Sequence, residues 1–261
     1  MTTHTIHTVN AFTDSDTGGN PASVMCFNSM PNDQKLLKVA RTQTAPVIAF
    51  VFPEKENNTY AIRWFSQQGE ISLCGHGTLA AASILFSNNP NVDELMFTSP
   101  YGNVTVNKVG NMLSMIFPAW KRKATKIKNL QFGMSSSNVV EHFSTRDLVI
   151  VLENQLAVEL FEPNKSLIQS SGFHAIIVTA KGNKSDYVLR FFAPSIGIDE
   201  DAATGSAQCS LAKYWVEKLN KDILQVEQLS SRKGTFTVEN IKDSIVIKTK
   251  TIILPAQKIT M

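Results

Sequence analysis

The sequence predicts an α+β fold built from a duplicated domain, on three observations. Strand-like stretches outnumber helical ones and do not alternate with them regularly, which argues against a doubly wound parallel sheet. Two distant stretches follow one plan. Arg63-Trp64-Phe65-Ser66 leads through a polar loop to Cys74-Gly75-His76-Gly77-Thr78-Leu79-Ala80. Arg190-Phe191-Phe192-Ala193 leads through another to Thr204-Gly205-Ser206-Ala207-Gln208-Cys209-Ser210-Leu211-Ala212. The arginine-to-glycine spacings, 75 − 63 = 12 and 205 − 190 = 15, differ in the loop alone, as expected of a repeated unit. Finally, both plans end in a short helix that is apolar on most faces, and such a helix belongs inside something, here a wrapped sheet.

Alternation and β-branched content place strands at Thr5–Phe12, Ala49–Phe52, Tyr60–Phe65, Asn103–Lys108, Leu113–Phe117, Leu148–Leu152, His174–Thr179, Tyr187–Phe192, Thr235–Glu239 and Ser244–Thr249. Helices are expected over Asp33–Arg41, with Asn32 or Asp33 as N-cap, over Gly75–Phe86, and over Gly205–Leu219. Thr17-Gly18-Gly19-Asn20-Pro21-Ala22-Ser23 reads as a glycine-rich turn that fits neither the Rossmann nor the P-loop pattern.

With 261 residues, 43% of them hydrophobic, the chain can bury sizeable cores without staples. A net charge of +3 is too small to point to nucleic acid or a membrane as partner. The basic residues Lys121, Arg122, Lys123, Lys126 and Lys128 lack interleaved aromatics in sequence and read as a solvated linker or face. The longest apolar run, Ala45–Pro53, is far short of the roughly 20 residues a spanning helix needs. The start, MTTHTIHTVNAF, has neither a basic n-region nor an apolar h-region. Together with three cysteines, an odd number, this leads us to expect a cytoplasmic protein with reduced thiols.

Chemistry concentrates where the two apolar helices begin. Each buried helix start carries unsatisfied N–H groups and a positive dipole end, so two such starts facing one gap would receive a small anion. At Cys74-Gly75-His76-Gly77 that field favours a thiolate and disfavours an imidazolium, while the flanking glycines leave backbone open to a ligand. The structural alternative is a small buried thiol with His76 as the cap. At Asp199-Glu200-Asp201-Ala202-Ala203-Thr204-Gly205-Ser206 the acids could simply complement the dipole. An anionic ligand there would instead favour a proton carrier, and Asp201 paired with His76 would make a general acid/base couple. The five histidines form no H-E-x-x-H, the cysteines form no C-x-x-C, and there is no G-x-S-x-G. Neither a metallohydrolase nor a serine hydrolase is supported.

At these residues the sequence resembles the PhzF-like family, named for phenazine biosynthesis, within the diaminopimelate-epimerase fold group. Four segments carry the resemblance: Val9–Thr13 with Gly19–Ala22; Arg63-Trp64-Phe65 to Cys74–Thr78; Ser170-Ser171-Gly172 with the strand after it; and Arg190–Pro194 to Glu200–Ala207. The resemblance implies two domains, 1–118 and 119–261, with the last strand able to return to the first. Each would be a curved, mostly antiparallel, barrel-like sheet around a central helix, with the active site in a cleft between them. It implies cofactor-independent proton transfer on carbon of a small cyclic hydroxy- or amino-acid-like carboxylate, no metal, and a homodimer. By position, His76 and Asp201 match the family's proton-handling residues. Gly75 and Ser206 match its ligand-binding helix starts, with Cys74, Gly77, Thr204, Gly205 and Asn20 as further substrate contacts. Of the two thiol positions in the wider group's epimerases, Cys74 keeps one and Thr204 occupies the other.

One position departs from the family pattern. The family's acid/base glutamate stands in a segment ending S-E-T-A-F, and the matching stretch here is Pro46-Val47-Ile48-Ala49-Phe50. Val47 falls on the glutamate and can neither give nor take a proton. Two readings follow: an isomerase or epimerase-like enzyme that works through Asp201 and His76 without the glutamate, or a relative that binds small anions and has lost the chemistry.

Overall fold

The computed structural model describes residues 3–126, 132–133 and 139–260. Lys128, one of the basic residues singled out above, lies outside them. The chain forms two compact units, residues 1–116 with 248–261, and residues 117–247. Among the described residues no helix is long and apolar enough to cross a membrane.

In the first unit, β1 (Thr3–Ala11) pairs antiparallel with β2 (Asn20–Cys26), and β2 runs parallel to β3 (Val47–Pro53). The helix α1 (Asp33–Ala40) forms the β2–β3 crossover, and its N-cap Asn32 accepts from the Lys35 N–H at 3.0 Å. Next, β3 pairs antiparallel with β4 (Thr59–Phe65), which also holds the two-residue β5 (Glu70–Ile71). After α2 (Gly75–Asn88), β6 (Glu94–Thr98) returns parallel to β4, followed by the antiparallel β7 (Val104–Val109) and β8 (Met112–Pro118). The C-terminal strands β16 (Thr251–Ile253) and β17 (Gln257–Thr260) return to pair with β1.

The second unit repeats this plan. An antiparallel pair, β9 (Val139–Ser144) and β10 (Leu148–Leu152), leads through two short helices, α3 (Gln155–Glu159) and α4 (Lys165–Ser170), to β11 (Ile176–Lys181), parallel to β10. The antiparallel β12 (Tyr187–Phe192) precedes α5 (Ala207–Leu219). Then β13 (Ile223–Gln228) lies parallel to β12 and antiparallel to β14 (Gly234–Ile241), and β15 (Ser244–Thr249) leads toward the tail. Each unit thus contains two parallel pairs bridged by antiparallel ones, with strands greatly outnumbering helices, as the α+β reading expects.

Burial explains why both sheets curve around a helix. Every residue of α2 from Gly77 to Phe86 is buried, and α2 packs on β1, β2, β3, β7 and β16. The other sheet face buries Met25, Ile48, Phe50 and Phe65 with Leu36 and Val39 of α1. In the second unit α5 is anchored by Trp215, stacked on Tyr187 at 5.5 Å, with Trp215 Nε1 donating to Thr179 Oγ1 at 3.0 Å. The opposite face buries Leu148, Ile150, Ile176, Val178 and Phe192 with Val158 and Ile168 of the crossover helices. Each unit accordingly buries both faces of its sheet, which suits strands reading as near-continuous apolar runs.

The two arginines of the repeat share one structural role. Arg63 grips Glu70 bidentately at 2.7 and 2.6 Å and lies over Phe65, while Arg190 grips Glu200 at 2.7 and 2.9 Å and lies over Phe192. Each pair ties its central-helix loop to the preceding strand.

Candidate active site: two helix starts

In the first unit the thiol, not the imidazole, caps α2. Cys74 has extended backbone (φ −141°, ψ 100°), and its Sγ accepts from the Gly77 N–H at 3.3 Å. His76 Nδ1 lies 3.4 Å from the same sulfur. His76 keeps some accessible surface, yet its surroundings exclude enough water to lower its pKa from 6.5 to about 4. The imidazolium is disfavoured as the sequence suggests, and the cause is burial. At neutral pH His76 is therefore a neutral ring that can donate at one nitrogen and accept at the other.

Two strands of this unit carry the other positions singled out in the sequence. Asn20, buried at the start of β2, is paired with Ala11. The preceding Gly19 has φ +66°, and a Cβ there would sit 2.2 Å from the Ala11 carbonyl oxygen, so the sharp entry into β2 requires glycine. Val47 is 7% exposed and shares a sheet face with Ala49, which is in register with Trp64. A Cβ on Gly77 would meet Trp64 Cδ1 at 3.0 Å, so this face is the one against α2. Trp64 Nε1 is buried and has no acceptor among the described residues. Val47 thus presents methyl groups on the face where the resemblance expects a carboxylate.

In the second unit the three acids separate. Asp199 pairs with Lys165 at 2.6 Å, and Glu200 is held by Arg190. The Asp201 carboxylate instead accepts from Thr204 Oγ1 at 2.6 Å. Gln228, fully buried on β13, fixes the loop from beneath: its Nε2 donates to the Asp201 carbonyl at 2.7 Å and its Oε1 accepts from the Thr204 N–H at 2.8 Å. Asp199 and Glu200 are thus held by cations of other segments. The helix also begins later than its small residues suggest, at Ala207, because Gly205 and Ser206 form a tight turn with Gln208 N–H donating to Gly205 O at 3.0 Å. Ser206 makes no side-chain cap; its Oγ faces Arg146 Nη2 at 3.5 Å. Cys209, one turn in, is inert: burial pushes its thiol up to about 12.

Sequence reasoning singled out Cys74, Gly75, His76, Gly77 and Asn20 in one unit and Asp201, Thr204, Gly205 and Ser206 in the other. Each set except Asn20 clusters at its helix start. It quotes Trp64 within the repeated motif without giving it a place in the site, and it misses Gln228 and Arg146, single polar residues on a strand and a turn with no local motif to mark them.

A family model described as phenazine biosynthesis-like protein matches residues 9–251. The chain belongs to this family. An uncharacterized isomerase of Vibrio cholerae is 40% identical over 229 residues, 87% of this chain and 81% of that protein. A crystal structure of a PhzF family phenazine biosynthesis protein from Enterococcus faecalis superposes with a TM-score of 0.92 at 30% identity, covering 100% of both chains. A hydroxyproline epimerase from Agrobacterium vitis, solved with bound trans-4-hydroxy-L-proline, shares the fold alone, with a TM-score of 0.59 at 10% identity over 98% of this chain and 91% of that one. The phenazine biosynthesis-like assignment fixes the fold group and associates the chain with relatives named isomerases.

Proposed function

We propose that this chain is a metal- and cofactor-independent isomerase that moves a proton on carbon of a small carboxylate, a cyclic hydroxy- or amino-acid-like molecule. The observation that carries the reading is the state of His76, a ring kept neutral at a helix start, 3.4 Å from a thiol sulfur. A neutral imidazole beside open backbone offers one N–H to donate and one nitrogen lone pair to accept, so it can hold or pass a proton at a bound molecule without carrying charge itself. On this reading Asp201, oriented by Thr204, takes or returns the carbon-bound proton. His76 handles the proton at the other end of the shift. The amides of Gly75, Gly205 and Ser206 receive the carboxylate, with Asn20, Cys74, Gly77 and Thr204 as neighbours. Family membership supports bringing both helix starts to one substrate. A cytoplasmic homodimer completes the proposal.

Val47 motivates a second reading, an anion-binding relative without turnover. Losing a general acid/base costs about 10²–10⁴-fold in rate. Solvent deuterium incorporation into a panel of cyclic amino and hydroxy acids, followed by proton NMR, separates the two. The enzyme reading expects exchange by the native protein, reduced about 10²–10⁴-fold in Asp201→Asn and in His76→Asn. Exchange seen with Val47→Glu alone would support the second reading. Native exchange untouched by Asp201→Asn would refute the first.

A further inference from the structure

The turn joining β9 to β10 carries Arg146 to the start of α5, where its Nη2 lies 3.5 Å from Ser206 Oγ. Three contacts fix this side chain. Nε and Nη2 donate to the two Asp147 carboxylate oxygens at 2.9 and 2.8 Å. The guanidinium lies 4.5 Å from the centre of the Trp120 ring. Thr145 Oγ1, which accepts from the Asp147 N–H at 3.3 Å, bonds Ser210 Oγ at 2.7 Å and ties the turn to α5.

The pair is lopsided in a telling way. The Asp147 side chain is fully buried, whereas that of Arg146 is 37% exposed. Burying a carboxylate is costly, and here the cost secures only one edge of a guanidinium. The other edge, Nη1, has no acceptor among the described residues. Arg146 also lines a groove of about 480 Å³ with Trp120, Lys121, Lys123 and Thr145, which adds two cations and no carboxylate. Its positive charge outweighs that of its partner locally. Arg146 lowers the pKa of His174, after burial, more than Asp147 raises it, and the same order holds at Cys209. A rigid, oriented guanidinium with Nη1 free beside the Ser206 hydroxyl suits a charge-assisted contact to a carboxylate.

We infer that Arg146 is the specificity residue that binds the carboxylate of the substrate beside Ser206, with Asp147 as its positioning residue. The inference rests on the proposed placement of a small carboxylate at the start of α5, though not on turnover.

The test is calorimetric titration of the full-length protein with three acids, trans-4-hydroxy-L-proline, pyrrole-2-carboxylate and benzoate, and with the primary amide of each. The native protein is expected to bind at least one acid at least about tenfold more tightly than its amide. Arg146→Met should weaken that acid about 10–100-fold while amide binding stays within about twofold, since a lost charge-assisted contact touches the anion alone. Arg146→Lys, which keeps the charge without the fork, should recover part of the loss. If the bound acid also exchanges deuterium, KM should rise while kcat stays within a few-fold.

Equal losses for acid and amide, unchanged acid binding in Arg146→Met, or no acid bound by the native protein would each overturn the inference. Should Arg146→Met fail to fold, Arg146→Lys decides alone: an acid preference equal to that of the native protein counts against the inference. An Arg146-dependent acid preference, with no deuterium exchange into any cyclic amino or hydroxy acid of the panel, would refute the isomerase reading and leave this one standing. Exchange by a native protein whose Arg146→Met variant keeps its KM would do the reverse.

Discussion

The two units repeat one strand order but finish their central helices differently, and the difference locates where each can do chemistry. At α2 a thiol caps the helix, glycines flank a histidine, and a tryptophan packs against Gly77. At α5 the cap is absent, a serine replaces the histidine position, and the polar work passes to Asp201, Gln228 and Arg146 from neighbouring segments. The repeated backbone supplies two equivalent helix starts. One carries a neutral ring and the other a carboxylate and a guanidinium.

The sharpest contrast lies in the paired arginines. Arg190 donates to Glu200 and also to the carbonyls of Val158, Glu159 and Phe161 at 3.3, 3.2 and 2.8 Å, closing the end of α3. Arg63 serves Glu70 and an Asp33 that is 75% exposed. Arg190→Ala should therefore destabilise by about 3–5 kcal/mol in chemical denaturation and Arg63→Ala by only about 1–2 kcal/mol. Equal losses would mean that the carbonyl contacts contribute nothing.

Acid should then strain the first unit through His76. Its folded pKa, about 4, lies below the 6.5 of an ordinary histidine, so the unfolded chain binds the extra proton between those values. Stability is unaffected above pH 6.5 and falls as pH drops toward 4, by on the order of 3 kcal/mol. His7 and His174 are lowered in the same direction. Denaturation midpoints at pH 7 and pH 4 should converge in His76→Gln, with a residual slope from the other two. An unchanged slope would place the ring in water.

A smaller effect probes an exchange of size between the units. By alignment of the repeat, Trp64 and Gly77 stand where Phe191 and Ala207 stand in the other copy. Gly77→Ala should cost about 1–3 kcal/mol, because the new methyl meets Trp64 Cδ1 at 3.0 Å and Cys74 Sγ at 3.1 Å. Adding Trp64→Phe should return part of that loss, and strict additivity of the two changes would break the parallel. The smallest difference concerns the caps. Cys74→Ala should cost about 1 kcal/mol and Cys74→Ser much less, while Ser206→Ala should stay within about 0.5 kcal/mol.

The sequence makes the duplication visible because the arginine–aromatic strand and the small-residue helix start are local patterns that survive in both copies. It also yields the ends of β10, β12 and β15 at their observed residues, since each is a clean apolar or alternating run. What it hides is long-range. The start of β2 reads as a turn because Thr17-Gly18-Gly19-Asn20-Pro21 carries turn residues, yet Asn20–Cys26 forms a strand between β1 and β3, and the bend ends at Gly19. The basic run has no aromatic interleaved within it in sequence, while in the fold Arg122 lies 5.7 Å from the Phe143 ring and 5.5 Å from the Tyr214 ring. Asp201 was legible as an acid before a helix, but Gln228 lies 27 residues downstream of it. No spacing rule reaches across that interval.

Because Thr3 is in register with Thr260 and Val9 with Ile253, the first unit pairs its first strand with strands that follow the whole second unit in sequence. On a translating ribosome, N-terminal domains generally fold first, but here β1 must wait for β16 and β17, which are synthesised after residues 117–247. The enclosed unit, 117–247, is synthesised in one uninterrupted stretch and has all of its own strands available earlier. The order of maturation therefore runs opposite to the order of synthesis, and a stalled or prematurely terminated chain would release a finished second unit attached to an unfinished first.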